Sequence, residues 1–305
     1  MLSSYSKLES LLLLILLLLL QSVDSLHIPI LYESKEILAI NKPSGIQHHS
    51  TTDELGIVAL IRQQYDQKHP TTRLYSVHRL DRVTSGILLL AKTPEAAREL
   101  TRLFREKKIV KYYTALSYHK ATQKKQGWIQ GGMERGRRKS WMLVRKNTTN
   151  FAQTRFFSAG LGQLSAANGL APLALSNSKE TTPLAPRTLL LLRPYTGKTH
   201  QLRVAAKSVG LPLAGDPVYK DRYDSSATLN RTYLHATALE IRASKDDTPS
   251  CFPECISLWC PPPFAHFSQN PEEFNEVLQR LVDKHCESAE LRALCRGPYH
   301  EEISP

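Results

Sequence analysis

Two short runs of unbroken aliphatic residues constrain this chain more than any other feature. Residues 86–92 (GILLLAK) and 188–193 (TLLLLR) have only aliphatic residues between their ends and are too short to cross a membrane as helices, so each reads as a buried strand. Further strands are expected on either side of a polar turn within 30–41, ended by Lys42-Pro43-Ser44-Gly45, and at 109–118, 139–145, 150–157 and 233–242. Helical spacing is read over 53–69, after Thr93 as N-cap with Pro94 at the first helical position, and over 199–209 with Thr199 as cap and Gly210 past the end. Short strands with interspersed helices, without regular βαβ alternation, predict an α+β domain with a mixed, largely antiparallel sheet and flanking helices.

Composition removes several alternatives. Hydrophobic residues make up 41% of the 305, enough for a core, which excludes a wholly disordered chain. Only 14 glycines and no sustained heptad exclude collagen and coiled coil. One long apolar run, Leu11–Leu20, excludes a multi-span membrane protein. That run is about half of the ~20 residues a spanning helix needs. It reads equally as a signal or targeting leader over residues 1–25 and as a buried first helix or a mis-called start. No stable membrane insertion is expected.

The main domain is expected over 26–268. Within it, 158–187 shifts to Ser, Ala, Gly, Leu, Asn and Pro without periodicity and reads as a mobile insertion. Residues 269–305 carry four basic and eight acidic side chains, an acidic tail with a solvated helix around 271–295. The five cysteines (Cys251, Cys255, Cys260, Cys286 and Cys295) are odd in number, and with His266 they lack the paired spacing of a zinc motif. They read as unpaired thiols, the first three in an irregular Pro-rich loop.

The formal charge is +12, and it is concentrated. From Arg98 to Lys146 there are fifteen Lys or Arg against Glu99, Glu106 and Glu134, so this stretch alone carries the whole excess. Arg135, Arg137, Arg138 and Lys139 are its densest cluster, and Tyr112, Tyr113, Trp128 and Trp141 are interleaved with the stretch. Such segregation points to an acidic partner, nucleic acid foremost, bound through phosphate contacts and stacking.

Three segments place polar residues among apolar surroundings: His78-Arg79-Leu80-Asp81 with Thr84-Ser85-Gly86; Lys111-x-Tyr113-x-Ala115; and Gly197-x-Thr199-His200-Gln201-Leu202-Arg203. Together with Asn41-Lys42-Pro43-Ser44-Gly45, Gly215-Asp216 and Leu234-His235-Ala236, in this order over about residues 30–242, they resemble the RluA-type RNA pseudouridine synthases. The resemblance implies a central active-site cleft and isomerisation of uridine to pseudouridine in structured RNA, rRNA or tRNA, without cofactor or metal. It implies a catalytic set of Asp81, Tyr113 and Arg203.

Asp81 is the essential carboxylate by that resemblance, whether it attacks the sugar, adds to the ring or removes a sugar proton. It must be ionised and yet desolvated, so Arg203 is expected to pair with it, its planar fork suiting bidentate bonding. Tyr113 is expected to stack on the target base and Arg79 to fill the gap left by the extruded base. Leu202 is expected to wall the pocket, and His78, with Arg135, Arg137, Arg138 and Lys139, to serve the RNA. His78, His200 and His235 read more simply as neutral histidines that orient loops.

Two other readings compete: a catalytically silent RNA-binding or RNA-folding protein of the same fold, and a secreted hydrolase. The second lacks the paired carboxyl groups a glycosidase uses. A monomer is expected, in a eukaryotic organelle (plastid or mitochondrion) reached through the leader, with the cytoplasm as alternative.

Overall fold

The structure is a computed structural model that describes residues 26–120, 124–137, 140–145, 149–162, 188–219, 231–243, 252, 255–263 and 270–297. The expected leader, Arg138, Lys139, Cys251, His266 and residues 163–187 of the expected insertion lie outside the described residues. The elements in chain order are β1 (Ile30–Glu33), β2 (Ile37–Lys42), α1 (Ile57–Asp66), β3 (Tyr75–Ser76), β4 (Ser85–Ala91), α2 (Pro94–Arg105), β5 (Ile109–Ser117), β6 (Gln126–Arg135), β7 (Trp141–Val144), β8 (Phe151–Gly160), β9 (Thr188–Pro194), α3 (Gln201–Ser208), β10 (Leu234–Arg242), β11 (Cys255–Trp259), α4 (Pro271–His285) and α5 (Ala289–Arg296).

All eleven strands belong to one sheet, in the order β1-β2-β4-β10-β5-β9-β8-β6-β7, with β3 on β4 and β11 on β10. Every pairing is antiparallel except β4 with β10, the mixed and largely antiparallel sheet the sequence predicts. β9 shows why its sequence is uninterrupted. Leu190 and Leu192 enter one core layer with Tyr113, Leu202 and Ala205, while Leu189 and Leu191 enter another with Tyr112, Phe274 and Leu278. Each leucine buried this way contributes roughly 1.5–3 kcal/mol, so a strand covered on both faces has no use for a polar position.

Several expectations shift. The first helix occupies Ile57–Asp66 within the expected 53–69. Thr93 caps α2 as expected, its hydroxyl accepting from the Ala96 amide at 3.1 Å. The cap of α3 is His200 and not Thr199; it has φ 57° and makes no side-chain cap bond. Residues 158–160 belong to β8 and not to the insertion.

Strand β6 is absent from the sequence reading, because Gly127, Gly131 and Gly132 remove the side chains that would have marked an alternation. Part of the expected cysteine-bearing loop is a strand. Cys255–Trp259 pairs with β10, and Cys260 beside it is buried. Nor is the acidic segment after 269 a solvated helix. It is two helices whose inner faces, with Phe274, Leu278 and Leu281 on α4 and Leu291 and Cys295 on α5, complete the second core layer. Acidic outer positions hid a buried stripe. Cys255, Cys260, Cys286 and Cys295 are free thiols.

Candidate active site

The site forms where the one parallel strand pair among the described residues brings distant motifs together. Ser85 and Gly86, at the head of β4, lie beside His235 and Ala236 of β10. Gly86 has φ +105°, and a Cβ there would sit 2.4 Å from the Ala236 carbonyl oxygen, so the contact admits glycine alone. His235 accepts at Nδ1 from Ser85 Oγ (2.9 Å) and its Nε2 meets the Cys260 carbonyl (3.2 Å), while burial pulls its pKa down to about 3. It is a neutral brace between strands.

The loop bearing Asp81 is fixed from the side of β2. Lys42 is fully buried, and its Nζ donates to the carbonyls of Pro43 (2.9 Å), Arg82 (3.3 Å) and Thr84 (2.9 Å). Ser44 Oγ donates to the Val83 carbonyl at 2.9 Å, and the Gly45 amide to the Arg82 carbonyl at 2.8 Å. Burial drives the Lys42 ammonium down to about 7, against the charge of Asp81, which favours the cation. His78 holds the other end, its Nε2 accepting from the Leu89 amide at 2.8 Å. Burial keeps it well below the usual histidine range, so this ring is an anchor for the loop. Its ring also packs 4.9 Å from that of Phe104.

Arg203 projects from α3 between two carboxylates. Its Nε and Nη2 form a fork with Asp216, at 2.7 and 2.8 Å. Its Nη1 donates to Asp81 Oδ2 at 3.2 Å. The expected bidentate bond therefore belongs to Asp216 and not to Asp81. The reason is burial: the Asp216 side chain is fully buried, against 20% exposure for that of Asp81, so the deeper anion takes the stronger pairing. Asp216 also accepts from the amides of Val218 and Tyr219, both at 2.9 Å. Gly215 before it has φ +69° and lies against the Arg231 carbonyl, which brings Asp216 inward. Burial opposes the Arg203 charge, but Asp216 and then Asp81 hold the guanidinium above its usual pKa.

One cation between two carboxylates leaves Asp81 with a single bond and with Oδ1 unengaged by the described residues. Asp81 lines a cleft of about 630 Å³ together with Arg79, Tyr113, Lys111, Leu202 and the 194–200 loop. Tyr113 is buried; desolvation and then the charge of Asp81 raise its phenol well above the usual range, so it stays protonated beside the carboxylate. Tyr112, pointing the opposite way, is buried in the second core layer, and its hydroxyl accepts from the Glu287 amide at 3.2 Å. Lys111 is half-buried on the Tyr113 side, and burial lowers it to about 8.

Gln201 ties the cleft loop down. Its Oε1 accepts from Thr196 Oγ1 (2.7 Å) and the Lys198 amide (3.0 Å), and its Nε2 donates to the Gln153 carbonyl (3.0 Å) and Thr154 Oγ1 (2.9 Å). His200 meets the Tyr219 hydroxyl at 2.9 Å, which in turn accepts from the Trp141 amide at 2.8 Å. Through Trp141 the β6–β7 hairpin, carrying exposed Arg135 and Arg137, is joined to the cleft wall. Arg79 is exposed at the cleft mouth, with no ion pair among the described residues.

The structure thus brings Asp81, Tyr113, Arg203, Leu202 and Arg79 into one cleft, while His78 lines the adjoining cavity. Sequence reasoning missed two structural roles, those of Asp216 and Lys42. Both stood inside quoted motifs, Gly215-Asp216 and Asn41-Lys42-Pro43-Ser44-Gly45. Nothing local announces that the first is the partner of Arg203, 13 residues earlier. Among the described residues no three His, Cys, Asp or Glu are placed to hold a metal, and no helix is long and apolar enough to cross a membrane.

Comparison with known proteins matches this arrangement to one family. A family model described as RNA pseudouridylate synthase covers residues 36–208. A Haemophilus influenzae protein described as an uncharacterized RNA pseudouridine synthase is 37% identical over 253 residues, 83% of this chain and 95% of its own. Ribosomal large subunit pseudouridine synthase C of Escherichia coli strain K12 is 35% identical over 236 residues, 72% of this chain and 64% of its own. Among solved structures, human RNA pseudouridylate synthase domain containing 1 superposes with TM-score 0.58 at 24% identity, covering 84% of this chain and 96% of its own. Human RNA pseudouridylate synthase domain containing 4 gives 0.55 at 25% identity, covering 77% and 88%.

The chain belongs to the RNA pseudouridine synthase family, of the RluA type. It is an isomerase of uridine in RNA.

Proposed function

We propose that Asp81 is the essential carboxylate of this synthase and that its substrate is an unpaired uridine of rRNA or tRNA. The observation that supports this most is the Asp81 geometry: a cleft-lining side chain with one bond to Arg203, its Oδ1 unengaged by the described residues, while Asp216 takes Nε and Nη2 of the same guanidinium. In the reaction the N1–C1′ bond breaks, C5 bonds to C1′, the C5 proton leaves and N1 gains one, so atoms balance without a co-reactant. Asp81 has three options: attack at C1′, addition to the ring, or removal of a sugar proton. Each needs a carboxylate that sheds water when the base enters, and Arg203 is the positive charge bonded to it. Tyr113, a protonated phenol, stacks on the uracil and offers a donor; as a neutral group it is not a strong base.

The target is extruded from its stack at a cost of a few kcal/mol, least for a loop nucleotide, and Arg79 occupies the space it leaves. Arg135 and Arg137 hold phosphates beside the cleft. The ribosomal substrate in the name of the Escherichia coli relative supports rRNA as the first RNA to test. The apolar run Leu11–Leu20 supports an organellar destination, which a tagged full-length protein spread evenly through the cytosol would overturn. The direct experiment is site-resolved pseudouridine mapping of cellular RNA with and without the gene. Loss of pseudouridine at one or a few rRNA or tRNA positions is expected, and an unchanged map would count against the reading.

A further inference from the structure

We propose that this enzyme carries a second RNA contact, a stacking platform of Trp128 and Tyr195 reached from the catalytic cleft through a gap in the sheet, which binds the single-stranded nucleotides flanking the target uridine. The inference rests on the RNA-substrate reading above.

The gap lies where β9 parts from β5. Their pairing runs to Tyr113–Leu192, whereas β9 stays paired with β8 through Arg193 and Pro194. Between the start of β5 and the 193–197 segment opens a second cavity of about 930 Å³. It shares Arg79, Lys111, Pro194, Thr196 and Gly197 with the catalytic cleft, so the two spaces adjoin. Lys107 and Lys111 line it and have no ion pair among the described residues. A polyanion leaving the cleft meets these cations first.

Beyond the gap the register sets up an alternating row. Trp128 of β6 lies opposite Arg155 of β8, and Arg155 opposite Arg193 of β9. Antiparallel partners share a sheet face, and this is the face of Tyr112, opposite to that of Tyr113. The Arg155 guanidinium sits 5.2 Å from the Trp128 ring centre, and that of Arg193 4.5 Å from the Tyr195 ring. The two rings are 4.9 Å apart.

Arg193 is neutralised by Glu287 and serves as the floor, while Arg155 has no carboxylate partner among the described residues. Trp128 is 47% exposed, an unusual place for the largest apolar side chain unless it meets something flat. The row ends at Phe157, stacked on His285 at 4.0 Å, beside a third concavity that holds Lys125, Arg280 and Lys284. One exposed tryptophan beside a half-buried tyrosine, with Arg155 as the cation left without a carboxylate, suits an unpaired base and its phosphate, because every base has a π-face.

The test uses the full chain and two fluorescein-labelled probes, an oligouridine long enough to reach from the cleft to Trp128 and a uridine trinucleotide that is not. Trp128→Ala should weaken the long probe roughly tenfold, the loss of about one stacked base, and leave the trinucleotide unchanged. Trp128→Phe should restore most of the loss. Photocrosslinking of a 4-thiouridine-containing long probe should label the peptides of Trp128 or Tyr195. Unchanged affinity for the long probe, equal loss on both probes, or crosslinks confined to the residues of the catalytic cleft would each overturn the platform while leaving the functional reading intact. A wild type that converts no uridine in any cellular RNA would instead remove the reading and the platform together.

Discussion

The cleft floor and the basic rim around it use charge in opposite ways. On the floor, Arg203 lies within hydrogen-bonding distance of both Asp81 and Asp216, and Lys42 is buried against three carbonyls. Those charges are few, oriented and screened from salt. On the rim, Arg79, Arg135, Arg137 and Lys107 are exposed and form no ion pair among the described residues. Chemistry on one nucleotide needs charges whose positions are fixed before the substrate arrives, because each buried charge acts in a low dielectric. Holding a long polyanion needs charges that move and add, each worth little alone. The difference predicts that damage to the floor is severe and local, and damage to the rim mild and salt-dependent.

The most severe test of the floor is Arg203→Ala. It strands Asp216 without its cation, and breaking a buried pair in this way costs about 3–5 kcal/mol, readable as a lower midpoint in urea unfolding. Asp216→Asn should be gentler on the fold because the amide keeps some of the hydrogen bonds. Gly86→Ala follows, at roughly 1–3 kcal/mol from the backbone conformation alone, with the Ala236 clash added.

Lys42 gives the floor a pH signature. Its folded pKa is depressed to about 7, below the ordinary 10.5 of the unfolded chain. Between those values the unfolded state binds the extra proton, so stability rises with pH through that window and the burial cost is fully present below about 7. Thermal unfolding across about pH 6–9 should show that rise in the wild type and a flatter profile in Lys42→Met. Parallel profiles would assign no titration to Lys42.

On the rim, Arg135→Ala and Arg137→Ala should leave stability within the ordinary surface range and reduce the salt slope of RNA binding by about 1 each. A salt slope unchanged by both would place the phosphate track elsewhere.

The same contrast explains what the sequence revealed. Unbroken runs such as 86–92 and 188–193 were legible because a strand buried on both faces leaves no polar residue, and Thr93-Pro94 because a cap has its own chemistry. The motifs around Asp81, Tyr113 and Arg203 were legible by resemblance, and the structure places all three in one cleft. The parallel join of β4 to β10 was not legible, since His235 and Ser85 are 150 residues apart and only the fold makes them neighbours. Nor was the division of labour at Arg203, which depends on which aspartate lies deeper. α4 misled because Glu272, Glu276 and Asp283 face water while Phe274, Val277 and Leu281 do not, and net charge averages over both sides of a helix.

The central proposal is that Asp81, bonded to a cation it shares with Asp216, does the chemistry and contributes little to holding RNA. The most direct measurement is to follow turnover and RNA affinity together for Asp81→Asn, with circular dichroism to check folding. The account predicts a folded protein that binds RNA as the wild type does and forms no pseudouridine. A folded Asp81→Asn enzyme that still makes pseudouridine at the wild-type rate would contradict it.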